Sequence, residues 1–274
     1  MLTHVRLNHQ RSRAARWKTR TRQALVAAAL VEAAAFATAG AQTPELPFDI
    51  GERLRYRVSV ARFGNVGEGE MSVTGPVDVR GTETFVLRSE IRARIGFVKN
   101  TERAESWVDP TRMATLRFEK RTHGALTRDE DQRVELYPAD QRWEDQRGNH
   151  GQSPTTAPLD ELSFIYYLRT LPLATDSVDS VVRHYDAARN PVVVKVVGRD
   201  TVRTNAGTFA TVVVEMRVKD PRRFNGEGVI RLQLSDDANR YPVRIESSVP
   251  VLGKTVLTLE SYTPAPQRLA SRRE

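Results

Sequence analysis

Three histidines fall within residues 42–274, at His123, His150 and His184, and they are the first residues to test for metal or acid–base chemistry. They are widely separated, sit mostly beside turn or loop residues, and none has an i, i+4 partner or a nearby cluster with metal-ligand spacing. A structural or surface role is the expectation for all three. A serine nucleophile would need a G-x-S-x-G elbow, and no serine has that setting; Ser163 lies inside a predicted helix, where capping or packing explains it. The run Gly64-Asn65-Val66-Gly67-Glu68-Gly69 has the wrong glycine spacing for a phosphate loop and leads into a strand rather than a helix, so hairpin glycines are expected there. Paired carboxylates occur at Glu102 with Glu105 and in Asp129-Glu130-Asp131. Glycoside hydrolysis depends on how far apart two such groups stand in space, which spacing along the chain does not give. Asp236-Asp237 with Asn239 lacks the glycine and the terminal glutamate of a calcium loop and is read as a turn. No catalytic, cofactor-binding or metal-ligating residue is therefore assigned, and no cofactor is expected.

The elements that would position any site are mostly strands. Leu54, Tyr56, Val58 and Val60 alternate with Arg55, Arg57 and Ser59, as a strand does with one face on a core and the other in water. The same period of two runs through 67–73, 85–91 and 116–120, with further strand candidates at 134–137, 181–185, 192–197, 209–218, 229–234, 243–249 and 255–262. Turn signals at Arg80-Gly81, Asp109-Pro110, His123-Gly124, Ala206-Gly207, Asn225-Gly226 and Leu252-Gly253 join neighbours by short connections. The chain is accordingly predicted to be mainly β, a large curved antiparallel sheet, either an open barrel or a sandwich, with one short helix near 159–170. In that helix Pro158, Asp160 and Glu161 begin the first turn, Arg169 ends the last, and Pro172 stops it. The polar, Pro- and Gly-bearing stretch 138–157 is read as a flexible loop and 264–274 as a disordered tail. Leu54, Tyr56, Met71, Phe85, Leu87, Phe118, Val212 and Val214 are the expected inward set. They fill a core by default, with a ligand cavity as the other option for so large a curved sheet.

The net charge of +8 and pI near 10.0 suggest nucleic acid until the charges are located. Residues 1–41 hold seven Lys/Arg and one acid, leaving 35 basic against 33 acidic residues in the remainder. A nearly neutral body with interspersed signs does not gather phosphate contacts on one face, so nucleic-acid binding is not expected. The basic stretch to Arg22, the apolar run Ala24–Val31, and Ala39-Gly40-Ala41 before Gln42 have the layout of a signal peptide, departing from it in the length of the basic region and in Glu32. Cleavage there would leave a single β-rich domain over 42–263. With no cysteine in the chain, a lipobox anchor, thiolate metal sites and thiol catalysis are excluded.

In order along the chain stand Pro47-Phe48; Gly51-Glu52-Arg53-Leu54-Arg55-Tyr56; Gly67 and Gly69 before Met71 and Val73; Val108-Asp109-Pro110; and Asp160 to Arg169 with Pro172-Leu173. Thr204 with Gly207-Thr208-Phe209, Ser235-Asp236, Arg240-Tyr241-Pro242-Val243 and Gly253 follow. This series resembles the bacterial exported family known as domain of unknown function 3108, over nearly all of 47–262; Leu232-Gln233-Leu234 stands where an aromatic is expected before Ser235. The resemblance implies an exported β-rich domain without agreed catalytic residues, so none is carried over. The expectation is an exported module of a bacterial periplasm or cell envelope, non-enzymatic, binding or structural, with a lipophilic or envelope component as its partner. The alternative is a carboxylate-dependent hydrolase acting on envelope glycans. An integral outer-membrane barrel is disfavoured, because the outward faces carry arginine and glutamate where lipid would need an apolar band.

Overall fold

The computed structural model describes residues 45–124, 129–220, 226–249 and 253–266. The proposed signal peptide 1–41 lies outside the described residues. Fourteen strands follow one another: β1 (Arg53–Val60), β2 (Gly64–Val79), β3 (Thr82–Ile95), β4 (Val98–Asp109), β5 (Ala114–Gly124), β6 (Glu130–Tyr137), β7 (Arg142–Asp145) and β8 (His150–Gln152). Helix α1 (Glu161–Leu168) interrupts them. Then come β9 (Val178–Val181), a 3-10 turn (Ala187–Arg189), β10 (Val192–Thr204), β11 (Gly207–Asp220), β12 (Gly226–Ser235), β13 (Pro242–Val249) and β14 (Gly253–Thr263).

All fourteen belong to one sheet in the order β8-β7-β6-β5-β4-β3-β2-β1-β14-β13-β12-β11-β10-β9. Every ladder is antiparallel, so the chain makes two meanders that meet where β1 pairs β14, with Val58 opposite Leu257. The predicted mainly β antiparallel architecture is the one observed. The alternation in β1 is physical: Leu54, Tyr56, Val58 and Val60 are buried while Arg53 and Arg55 are exposed. Each such side chain removed from water contributes about 2 kcal/mol.

The sheet does not close on itself, since β8 and β9 stand at opposite ends of the order. The segment before α1 stitches across the opening. Thr115 N donates to Pro158 O at 2.8 Å on one side; on the other, Leu159 N donates to Arg183 O at 2.6 Å and Tyr185 N to Leu159 O at 2.9 Å. Helix α1 then lies in the interior. Leu162, Phe164, Tyr166 and Leu168 join Leu54, Tyr56, Met71, Leu87, Val212 and Val214 in the main core. Of the expected inward set, Phe85 is only partly buried and Phe118 belongs to a smaller cluster with Val134, Leu136 and Tyr185.

Two expectations need correction. The stretch 138–157 contains β7 and β8, a short hairpin that extends the sheet from β6. Arg142 lies over the Tyr137 ring at 3.7 Å, and Gly151 packs under Trp143. The first residues of the expected tail are packed: Ala265 is buried and Pro266 sits against Gly51, while 267–274 lie outside the described residues.

Candidate functional site

The most concentrated polar chemistry of the fold is inside it. Arg169, the C-cap of α1, turns its side chain into the core, where it is fully buried. Its Nη1 and Nη2 donate to Oε1 and Oε2 of Glu52, both at 2.7 Å, in a bidentate pair. Nη2 also donates to Pro47 O and Asn239 O, each at 2.9 Å. Rings of Phe48, Tyr166 and Tyr241 surround the guanidinium at 5.1 to 5.7 Å. Burial alone would lower the pKa of Arg169, but the Glu52 carboxylate reverses this and holds it above its ordinary value. Burial raises the Tyr56 phenol, whose hydroxyl donates to Pro242 O at 2.9 Å. Segments quoted above for the family resemblance thus converge on one point: Pro47-Phe48, Glu52, Tyr56, Arg169 and Tyr241-Pro242. The sequence placed Arg169 at the helix end, as observed, but did not foresee its burial or its partner. Sealed from solvent and fully bonded, the pair acts as a latch between helix, N-terminal segment and the β12–β13 turn, which ends at Tyr241.

A second polar knot starts the helix. Asp160 is its N-cap, accepting from Leu162 N and Ser163 N at 2.8 and 3.0 Å, while Asp160 N donates to Ser163 Oγ. Ser106 and Thr115 hydroxyls donate to the two carboxylate oxygens at 2.8 Å, tying the cap to β4 and β5. Burial raises the Asp160 pKa, against the pull of those hydrogen bonds. Ser163 has the capping role expected of it. Nearby, Glu161 pairs with Lys120 at 2.9 Å and Arg189 at 2.6 Å. His184 is buried and stacked on Tyr185; its Nδ1 accepts from Asp186 N at 3.0 Å, so Nε2 carries the proton. Burial, reinforced by the Arg189 charge, lowers its pKa to about 4.

The other residues considered for chemistry are scattered. His123 and His150 are exposed on β5 and β8 and take no part in either knot. Among the described residues, no three His, Asp or Glu side chains gather as metal ligands. Glu105 pairs with Arg88, Asp129 accepts from Gly124 N, and Asp131 faces Arg121. Asp237 accepts from Asn239 N, Arg240 N and Ser235 Oγ, which makes 235–241 the turn expected of it. Gly64–Gly69 opens β2, with Gly67 in tight contact with the β3 backbone.

The curvature of the sheet leaves a concave trough of about 1100 Å³ on the outer face of β14, β1, β2, β3 and β4. A second concavity, of about 420 Å³, lies over β10 and β12–β14. Neither is lined by α1, whose surroundings are filled by the core. The trough is floored by cross-strand ion pairs, including Arg55 with Glu70 at 3.3 Å, Arg57 with Glu260 at 3.2 Å and Arg103 with Glu90 at 2.9 Å. The hydrogen bond from Arg103 holds Glu90 below the usual carboxylate range. Its acids are matched by neighbouring arginines, which suits a polar contact surface better than a proton donor.

A family model described as "Protein of unknown function (DUF3108)" matches residues 55–260. No curated protein matches the chain significantly. Among solved structures, a β-barrel-like protein of domain of unknown function DUF1849 from Brucella abortus is 12% identical. That match covers 78% of this chain and 98% of that one, with a TM-score of 0.52. A "putative lipoprotein" from Parabacteroides distasonis is 11% identical, covering 80% and 97%, with a TM-score of 0.30. A "putative exported protein with YmcC-like fold" from Bacteroides fragilis is 12% identical, covering 80% and 98%, with a TM-score of 0.32. The likeness of fold rests on the first, and it agrees with an open, barrel-like sheet.

Proposed function

The chain belongs to the DUF3108 family of proteins of unknown function, and on that premise we propose that it is a non-catalytic binding or structural module of a bacterial cell envelope. It meets a lipophilic or envelope component on its outer surface rather than enclosing one. The observation that carries this reading is the occupied interior: α1, the Glu52–Arg169 latch and the Asp160 cap fill the space a carrier would leave open. The buried acids support it too. Glu52 and Asp160 are committed to a guanidinium and to a helix start, and a group with no path to solvent or substrate cannot cycle a proton. Export is supported by the leader composition and by the family resemblance. The test is fractionation of bacteria expressing the full-length chain, with purified protein then incubated with envelope glycans. Recovery outside the cytoplasm with the leader removed, and glycans left intact, is expected. A cytoplasmic location, or glycan cleavage lost in a carboxylate variant, overturns the reading.

A further inference from the structure

In a meander, connections fall alternately at two ends of the sheet. One end carries the β2–β3, β4–β5, β6–β7, β10–β11 and β12–β13 turns, built from such residues as Asp78, Asp109, Asp140, Asn205 and Asp237. The termini of α1 are anchored at that end, through Ser106, Thr115 and Asn239. The other end carries the β1–β2 and β3–β4 hairpins, whose tips present Phe63 and Phe97. Phe63 is 51% exposed and Phe97 103%.

The two tips are neighbours. The β2–β3 ladder pairs Glu68 with Arg92 and Gly67 with Ala93, and carried past its last bridge that register brings Phe63 level with Phe97. The hairpins stand about 10 Å apart, two strand spacings. Single exposed apolar residues are ordinary, whereas two adjacent tips that each carry an exposed phenyl ring place apolar surface together at one rim. The charges around them also differ from those farther along β1, β3 and β4. Arg53, Arg55, Arg57, Arg88, Arg92 and Arg103 each have a glutamate partner. Arg62, Arg94 and Lys99, exposed beside the two tips, form no ion pair among the described residues.

We propose that this end of the sheet docks on an anionic phospholipid bilayer, with Phe63 and Phe97 entering the interface and Arg62, Arg94 and Lys99 meeting lipid phosphates. Aromatic rings settle at the headgroup level, and unpaired basic residues add attraction to anionic lipid that salt screens. The inference rests on the envelope reading, since a lipid surface must be within reach.

The test is partition of the purified chain onto phosphatidylethanolamine vesicles containing phosphatidylglycerol, against phosphatidylcholine vesicles. Binding to the anionic vesicles that weakens with salt is expected, reduced about tenfold by Phe63→Ser with Phe97→Ser and similarly by Arg94→Glu with Lys99→Glu. Both double variants alter exposed side chains at or beside the tips, and unchanged circular dichroism verifies their fold. Because the chain has no cysteine, a polarity-sensitive dye can also be placed by Ala61→Cys beside the tip, or by Ala139→Cys at the opposite end. A blue shift on anionic vesicles at the first position and none at the second is expected. Equal partition of the phenylalanine variant, or no shift at either position, overturns the proposal. So does loss of a dimer in that variant with vesicle binding intact, which would make the tips a self-association surface. A cytoplasmic location in cells would remove the envelope reading without altering the vesicle result, so the two fail separately.

Discussion

Glu52 and Arg169 lie 117 residues apart in the chain and form a bidentate ion pair with both contacts at 2.7 Å, sealed from solvent. Removing one partner leaves the other charge buried. Arg169→Met or Glu52→Met is expected to destabilise the fold by about 4 kcal/mol. The double variant Glu52→Met with Arg169→Met should cost clearly less than the two single effects together. Urea denaturation of the four proteins measures this; simple additivity would show that the pair is not a coupled unit.

The helix cap is the second fixed point. Asp160→Ala removes the N-cap and leaves the Ser106 and Thr115 hydroxyls without their acceptor. The expected loss is about 3 kcal/mol, with Asp160→Asn milder because it keeps an acceptor. Thermal melts of the two variants decide the matter, and equal melting temperatures for Asp160→Ala and the parent protein would refute the assignment.

Folding stability should depend on pH through His184, whose folded pKa of about 4 lies below its ordinary value of 6.5. Between those values the unfolded chain holds a proton that the folded chain does not, so stability rises with pH across that window and is lost as pH falls. The full effect is about 3 kcal/mol. Asp160, with its pKa raised by burial, acts in the opposite sense above its ordinary value of 3.8. Comparison with His184→Asn, which keeps an acceptor for the Asp186 amide, isolates the histidine. Denaturation curves from pH 4 to pH 7 should be about 3 kcal/mol steeper in the parent than in the variant.

Two neighbouring glycines of β2 should respond differently to one added methyl group. A Cβ on Gly67 would stand 1.9 Å from the Arg92 carbonyl oxygen and 2.8 Å from Ala93 Cα, whereas on Gly69 its nearest neighbour is at 3.6 Å. Gly67→Ala must push β2 and β3 apart and is expected to cost about 3 kcal/mol; Gly69→Ala should cost under about 1 kcal/mol. Chemical denaturation of both variants checks the contrast.

Long strands were legible from the sequence because each repeats the same physical choice many times, as β1 does with Leu54, Tyr56, Val58 and Val60. The helix was legible from Asp160, Glu161 and the prolines around it. The β7–β8 hairpin was not, because strands of four and three mostly polar residues are too short to show a period. The latch was hidden for another reason. Arg169 at a helix end is satisfied equally well by water and the helix dipole, and nothing local marks Glu52 as its partner. The turn aromatics Phe63 and Phe97 carry no periodic signal either, and only the register of β2 and β3 brings their tips level.

The account turns on an interior filled by the protein's own helix. Native mass spectrometry of the chain recovered from the cell envelope tests this most directly. A bare polypeptide mass is predicted. A stoichiometric acyl-chain adduct that persists in the Phe63→Ser, Phe97→Ser variant would contradict it, because such a ligand would have to lie within the sheet.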